Sequence, residues 1–388
     1  MRPTSDPGRL KPIILIPDGN VVYVKPRQSR LRRLWPQTKW AKVALWIVLV
    51  LSVTAIALEA LLWVSHSNQV RAVKATTELF NADFVAHLTN SRPVLVYYVL
   101  FFAGMVFLVG GWWNALLRKN IYQAFALGLF GDLLLGYAII QFFEDPWLAP
   151  RDIRRIMATS KVDYVLNGRN FHFALISVLA LTSIALWGLC WPLYREFAWA
   201  FFKRLGADRQ MRRMHNHHEV LLTFFKLDAF FFLMYACQLT ALVLFAQGWE
   251  TWVRLAVAVP LSILIVALGF MGLLWESRPL LGLFMAGVVV GIGYMTFELV
   301  NMFLVYGEPG DIYLYCRRFF VFFSVVNFLL GLLSIVGAIR CYRNFGQGLK
   351  EVRDRASVIG DPADIRVLSF GEGKTTSSAI SKRELSLH

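Results

Sequence analysis

Five ionisable side chains sit where the surrounding sequence is almost wholly apolar: Glu59, Asp132, Lys226, Asp228 and Glu298. A charge in such a run is costly to bury, so it meets a partner or lines a path for an ion, a proton or a substrate. Lys226 and Asp228 are two residues apart. On a helix they point to different faces and do not satisfy each other. Lys226 has two outlets, Asp132 on another helix or the nearby water surface through its long stem. Asp228 is shorter and deeper. It needs a donor from another helix or a polar pocket, which makes it the best single candidate for a functional residue. The plainer arrangement for all five is a set of buried pairs that lock helices together. Toward the opposite surface Glu59, Gln141, Gln238, Glu298 and Asn301 fall at a similar depth, and Glu298 and Asn301 share a helix face. They line a shallow polar pocket or sit as interfacial groups touching water and headgroups, and the second is the plainer reading.

Other reactive residue types form no catalytic set. His215, His217, His218 and Glu219 crowd one short segment, but the remaining histidines are only His66, His87, His172 and the terminal His388. Metal centres in membrane enzymes need histidines from several helices, so a solvated loop end is favoured and no metal is expected. No serine–histidine–acid set, phosphate-binding glycine loop or dinucleotide fingerprint occurs, so no enzyme activity and no cofactor are expected. The four cysteines show neither CxxC nor zinc spacing. Cys341, flanked by Arg340 and Arg343 at the end of the last apolar run, is a candidate for lipidation. A buried thiol is the alternative. Gly287 and Gly291 form a small-xxx-small pair that lets a second helix approach, more simply within this chain than between copies.

The elements that must position these residues follow from composition. Of 388 residues 57% are hydrophobic and 17% charged, and mean hydropathy is +0.53. A soluble domain carries about 25% charged residues, so soluble, disordered and fibrous classes are excluded. A spanning helix needs about 20 apolar residues. Eight stretches qualify: 43–64, 94–116, 121–143, 171–193, 221–245, 253–275, 280–306 and 319–339. The fold class is therefore all-α, an integral membrane bundle of about eight transmembrane helices. It is preceded by a basic arm over 1–42 and followed by a tail over 340–388, expected to be largely disordered after 360. The arm lacks a cleavable signal, so the first span acts as a signal anchor. One side of the membrane collects 28 basic and 12 acidic residues, the other 11 and nine. The positive-inside rule puts the first side, with both termini, in the cytosol.

Asp18-Gly19 between two short β-prone runs reads as a hairpin, and equally as an extended arm. The 194–220 segment looks helical and carries Arg195, Lys203, Arg204, Arg209, Arg212 and Arg213 beside Trp199, Phe201 and Phe202. That mixture suits the cytosolic membrane surface. The expected partners are the lipid bilayer, anionic lipid headgroups at the cytosolic face, and proteins that engage this loop and the tail. No nucleic acid is expected. No internal repeat is visible in the sequence, which gives no support to an inverted-repeat transporter.

Three stretches carry a resemblance. They are Asn114-Ala-Leu-Leu-Arg-Lys-Asn-Ile-Tyr-Gln123 running on to Tyr137-Ala-Ile-Ile-Gln141, then Leu205–Met214 with Phe225-Lys-Leu-Asp-Ala-Phe-Phe-Phe232, and Arg317-Arg-Phe-Phe320 through Cys341-Tyr-Arg-Asn-Phe-Gly-Gln-Gly-Leu-Lys350. In this order they resemble an uncharacterised fungal family of multi-pass membrane proteins of the Golgi apparatus, over residues 40 to 355. The resemblance implies membrane topology and a Golgi or wider endomembrane address, and it brings no catalytic residue. The function expected is non-enzymatic binding, sensing or trafficking. The alternatives are a small-solute or lipid transporter using Asp132, Lys226 and Asp228, and a seven-span receptor-like protein.

Overall fold

The computed structural model describes residues 11–15, 21–24, 35–36, 38–75, 93–148, 164–205, 209–245, 249–306, 313, 317–346 and 365–368. Among them eight long helices follow one another. These are α1 (Lys39–Ala75), α2 (Pro93–Arg118), α3 (Ile121–Leu148), α4 (Tyr164–Leu205), α5 (Arg209–Phe245), α6 (Trp249–Leu274), α7 (Arg278–Leu304) and α8 (Arg317–Asn344). Each is long and apolar enough to cross a bilayer. Helices are the answer to hydrocarbon because every backbone donor and acceptor in the interior of the span is satisfied within the segment. The outward faces stay apolar: Ile184, Trp191, Val106 and Leu304 are among the most exposed side chains. So broad an apolar surface belongs against lipid.

The helices pack as two rings of four. In the first, α1 touches α2, α2 touches α3, α3 touches α4, and α4 returns to α1. In the second, α5, α6, α7 and α8 close in the same way. The rings meet where α5 contacts α2 and α3 and where α8 contacts α3. An aromatic seam fills that junction. Phe230 of α5 lies 4.6 Å from Phe107 of α2 and 5.1 Å from Phe130 of α3, and Phe319 of α8 lies 4.1 Å from Tyr97 and 4.8 Å from Tyr137.

Each ring joins its second and third helices by the same tight turn. Asn120 N donates to Ala115 O at 3.0 Å and Ser277 N donates to Gly272 O at 2.9 Å. Lys119 and Glu276 hold the left-handed position, with φ of 54° and 52°. This is the six-to-one closure that stops a helix without a long loop. Each half of the chain thus closes a ring of four helices with a tight turn between its second and third.

Outside the bundle, β1 (Lys11–Leu15) and β2 (Val21–Val24) pair antiparallel, with Lys11 opposite Val24. This agrees with the hairpin reading, although Asp18 and Gly19 lie outside the described residues. A third strand, β3 (Ile365–Leu368), pairs antiparallel with β2. The tail is expected to be largely disordered after 360, and only Ile365–Leu368 of that stretch lies among the described residues. Its Ile-Arg-Val-Leu run completes a sheet with the N-terminal arm, a partner too distant in sequence for local pattern to reveal. The N-terminal arm and the C-terminal tail thus pair with each other in one sheet.

Candidate functional site

The α2–α3 turn positions the largest group of polar contacts. Asn120 starts α3, and its Oδ1 accepts from Gln123 N at 3.1 Å, an N-cap. Its amide nitrogen donates to Glu219 Oε2 of α5 at 2.6 Å. Gln123 turns back across the hairpin and donates to Gly111 O at 2.9 Å. The Lys226 ammonium then donates to Gln123 Oε1 at 2.6 Å and to Asn114 Oδ1 at 3.1 Å. Lys226 therefore does not reach Asp132, contrary to one of the two outlets expected for it. The reason is neighbourhood: α5 approaches α3 at its turn end, where two amide oxygens lie closer than the deeper carboxylate. The amides carry no charge, so Asn114, Asn120 and Gln123 were not picked out as site residues. The signal was their concentration in one hairpin.

Asp132 is spent on α4. It accepts from Ser183 Oγ, and from Trp187 Nε1 at 3.0 Å. Ser183 and Trp187 are four apart and share a helix face. Asp228 is fully buried and accepts from Ser334 Oγ of α8. Two turns earlier on α8, Asn327 Nδ2 donates to Phe323 O at 2.8 Å and to Phe231 O at 3.4 Å. On the opposite side the polar residues separate. Gln141 donates to Glu59 at 2.9 Å, joining α3 to α1. Gln238 donates to Tyr97 OH at 3.3 Å, joining α5 to α2. Glu298 is buried on α7 and Asn301 half-buried. Glu59, Gln141 and Gln238 are thus buried joints between helices and not a shared pocket open to water.

The void in the aromatic seam is small, about 20 Å³, and its walls are Leu100, Phe101, Phe130, Leu133, Leu134, Tyr137, Phe230, Phe231, Phe322 and Phe323. A space of this size has room for about one water, but a water needs polar partners. None of the five intramembrane charges lines it. Cys341 is 4% exposed and belongs to the second ring's core with Leu221 and Ala338. Its thiol is packed inside the bundle, the alternative expected for it. Gly287 packs on Ile265 of α6, while Gly291 has nothing within 4 Å, so half of the small-residue pair serves contact within the chain. His215 Nε2 lies 4.0 Å from Glu219 Oε1. Among the described residues no group of three metal-ligating side chains gathers.

The basic segment takes a different form from a separate surface helix. α4 runs on to Leu205 and α5 already begins at Arg209. No glycine or proline interrupts 193–205, so the helix continues past the apolar stretch. Arg195 and Arg213 are exposed and Arg212 half-buried, while the side chains of Lys203, Arg204 and Arg209 lie outside those described.

Against known proteins, the chain is similar to a UPF0658 Golgi apparatus membrane protein of Schizosaccharomyces pombe. The two are 24% identical over 317 residues, 77% of this chain and 87% of that protein. The chain is a homologue of that fungal membrane protein. The resemblance read from the three stretches is therefore sound, and the chain is a multi-pass membrane protein. No family model matches, and no solved structure does. The three stretches also meet in space: Lys226 bonds to Asn114 and Gln123, and Asp228 to Ser334.

Proposed function

We propose that this protein is a non-enzymatic membrane protein of the Golgi or wider endomembrane system. In this reading both termini are cytosolic, and the protein acts by binding at that face. The relative's Golgi location supports the address. The observation that carries the mode of action is how the intramembrane charges are used. Asp132, Lys226, Asp228 and Glu59 each bond to a neighbouring helix. A carrier needs such groups turned toward a wet path. A scaffold needs them as joints, and it presents its chemistry outside the bundle. The basic ends of α4 and α5 supply that chemistry. Each basic residue near an anionic leaflet contributes about 1 kcal/mol.

The test has two parts. Ser334 and Asp132 are replaced singly by cysteine in a chain stripped of its native cysteines, then exposed to membrane-impermeant thiol reagents from each side. Protection is expected, and labelling from the luminal side would instead support a transporter. Vesicles containing phosphatidylserine should capture the purified protein in a salt-sensitive way. Replacing Arg195, Arg212 and Arg213 by glutamine should weaken that capture, and unchanged capture refutes the electrostatic surface.

A further inference from the structure

One carboxylate lies on the outer side of the bundle. Of the four acids within the spans, Glu59, Asp228 and Glu298 are at most 2% exposed, while Asp132 is only half-buried. Asp132 stands eleven residues into the apolar stretch that opens at Ile121. That is about 16 Å along a helix, near the middle of a hydrocarbon core about 30 Å thick. Its surroundings face outward. Trp187 is 41% exposed, and Leu129 on α3 and Ile184 on α4 are more so. The two bonds to the carboxylate, from Ser183 Oγ and from Trp187 Nε1 at 3.0 Å, come from neutral donors. A carboxylate has about four acceptor sites, so part of its capacity and all of its charge are left over. No ion pair reaches it among the described residues. A charge at this depth turned toward lipid is a costly placement, and such groups face a bundle interior or a partner.

The same face has the form of a helix seat. Leu181, Ile184, Gly188 and Trp191 follow one another along α4 at spacings of three, four and three, the period of a seam that a neighbouring helix fills. All four are exposed. A Cβ on Gly188 would meet nothing within 4 Å, so another backbone can come close there. Lipid tails could cover the seam, but they offer nothing to Asp132. A second copy of the chain does not supply the charge either, because Lys226 is held by Asn114 and Gln123. A cation reaches mid-membrane on a span whose own backbone is satisfied, which means on a helix. We propose that the outer groove between α3 and α4, centred on Asp132, is the docking surface for a transmembrane helix of another protein that carries a lysine or arginine at mid-membrane. The proposal goes beyond the cytosolic binding face described above, because it adds a contact inside the bilayer.

The probes are three synthetic single-span leucine–alanine helices: one with a lysine at its centre, one with leucine there, and one with the lysine moved two turns toward an end. Their binding to the full chain in phosphatidylcholine vesicles is read by energy transfer between labelled partners. The central lysine should tighten association at least about tenfold over leucine, and the displaced lysine should not. Asp132→Asn keeps the size of the side chain and removes its charge. It should abolish the preference for lysine and leave the affinity of the leucine helix unchanged. Equal affinities for the central-lysine and leucine helices overturn the proposal and assign Asp132 to a protonated acid facing lipid. A preference that survives Asp132→Asn, or that persists when the lysine is displaced, overturns it as well. If Asp132→Asn does not fold, Gly188→Leu takes its place. It fills the groove and leaves the carboxylate, and it should weaken the central-lysine helix at least about tenfold; unchanged binding overturns the proposal. The vesicles carry no net charge, so these outcomes are independent of headgroup capture.

Discussion

Removing Gln123 takes apart the joint between the α2–α3 hairpin and α5. Gln123→Leu keeps the volume and deletes two contacts: the acceptor for Lys226 at 2.6 Å and the donor to Gly111 O at 2.9 Å. A hydrogen bond to a charged group contributes about 1.5–3 kcal/mol. A neutral side-chain bond within a membrane bundle averages about 0.6 kcal/mol. The expected loss is therefore about 2–3.5 kcal/mol, most of it from the ammonium. Reversible unfolding in mixed micelles measures it. A double-mutant cycle with Lys226→Met isolates the pair, and the two losses should fall short of additivity by about 1.5–3 kcal/mol. Additivity within about 0.5 kcal/mol would mean that the two groups do not interact, and the joint would be a coincidence of packing.

Three other outcomes are expected. Gly272→Ala places a Cβ 2.8 Å from Leu281 N and 3.1 Å from its Cα, so unfolding should become easier by about 1–3 kcal/mol; Gly293→Ala, with nothing within 4 Å, should cost nothing. Tyr137→Phe deletes the buried bond to Tyr97 O at 2.7 Å and should cost about 0.5–1.5 kcal/mol in the same assay. Reporters active only in the cytosol, fused to each terminus, should both give signal; a luminal result at either end refutes the orientation.

The eight crossings were legible because hydrocarbon accepts a narrow range of residues over a fixed length. Their ends were not. α4 spans Tyr164–Leu205, while the apolar reading stopped at 171 and 193. Hydropathy reports only the part within hydrocarbon, and a helix continues wherever nothing breaks it. The charges were legible as residues that need partners, but the partners were not. Lys226 chose amides over Asp132, and Asp132 chose Ser183 and Trp187. Those choices depend on which helices are neighbours, and the sequence orders helices without placing them. The two-ring plan is hidden for the same reason. Gly111 against Leu127 and Gly269 against Phe284 do equivalent work with different residues, so the halves match in contact and not in letters.

The short turns also bear on the order in which the chain is made. Between Arg118 and Ile121, and between Leu274 and Arg278, there is no slack. Two helices joined by so short a turn form an antiparallel hairpin that packs as one unit. When the first pair arrives, α5 has not yet been synthesised. Asn114 and Gln123 then have no ammonium to accept from, and Asn120 has no Glu219 to donate to. The first four helices can close their own ring, but this end of it lacks its ammonium until Lys226 is delivered more than a hundred residues after Asn114. The polar joint is in this sense a latch: it shuts only once the second half of the protein has begun to arrive.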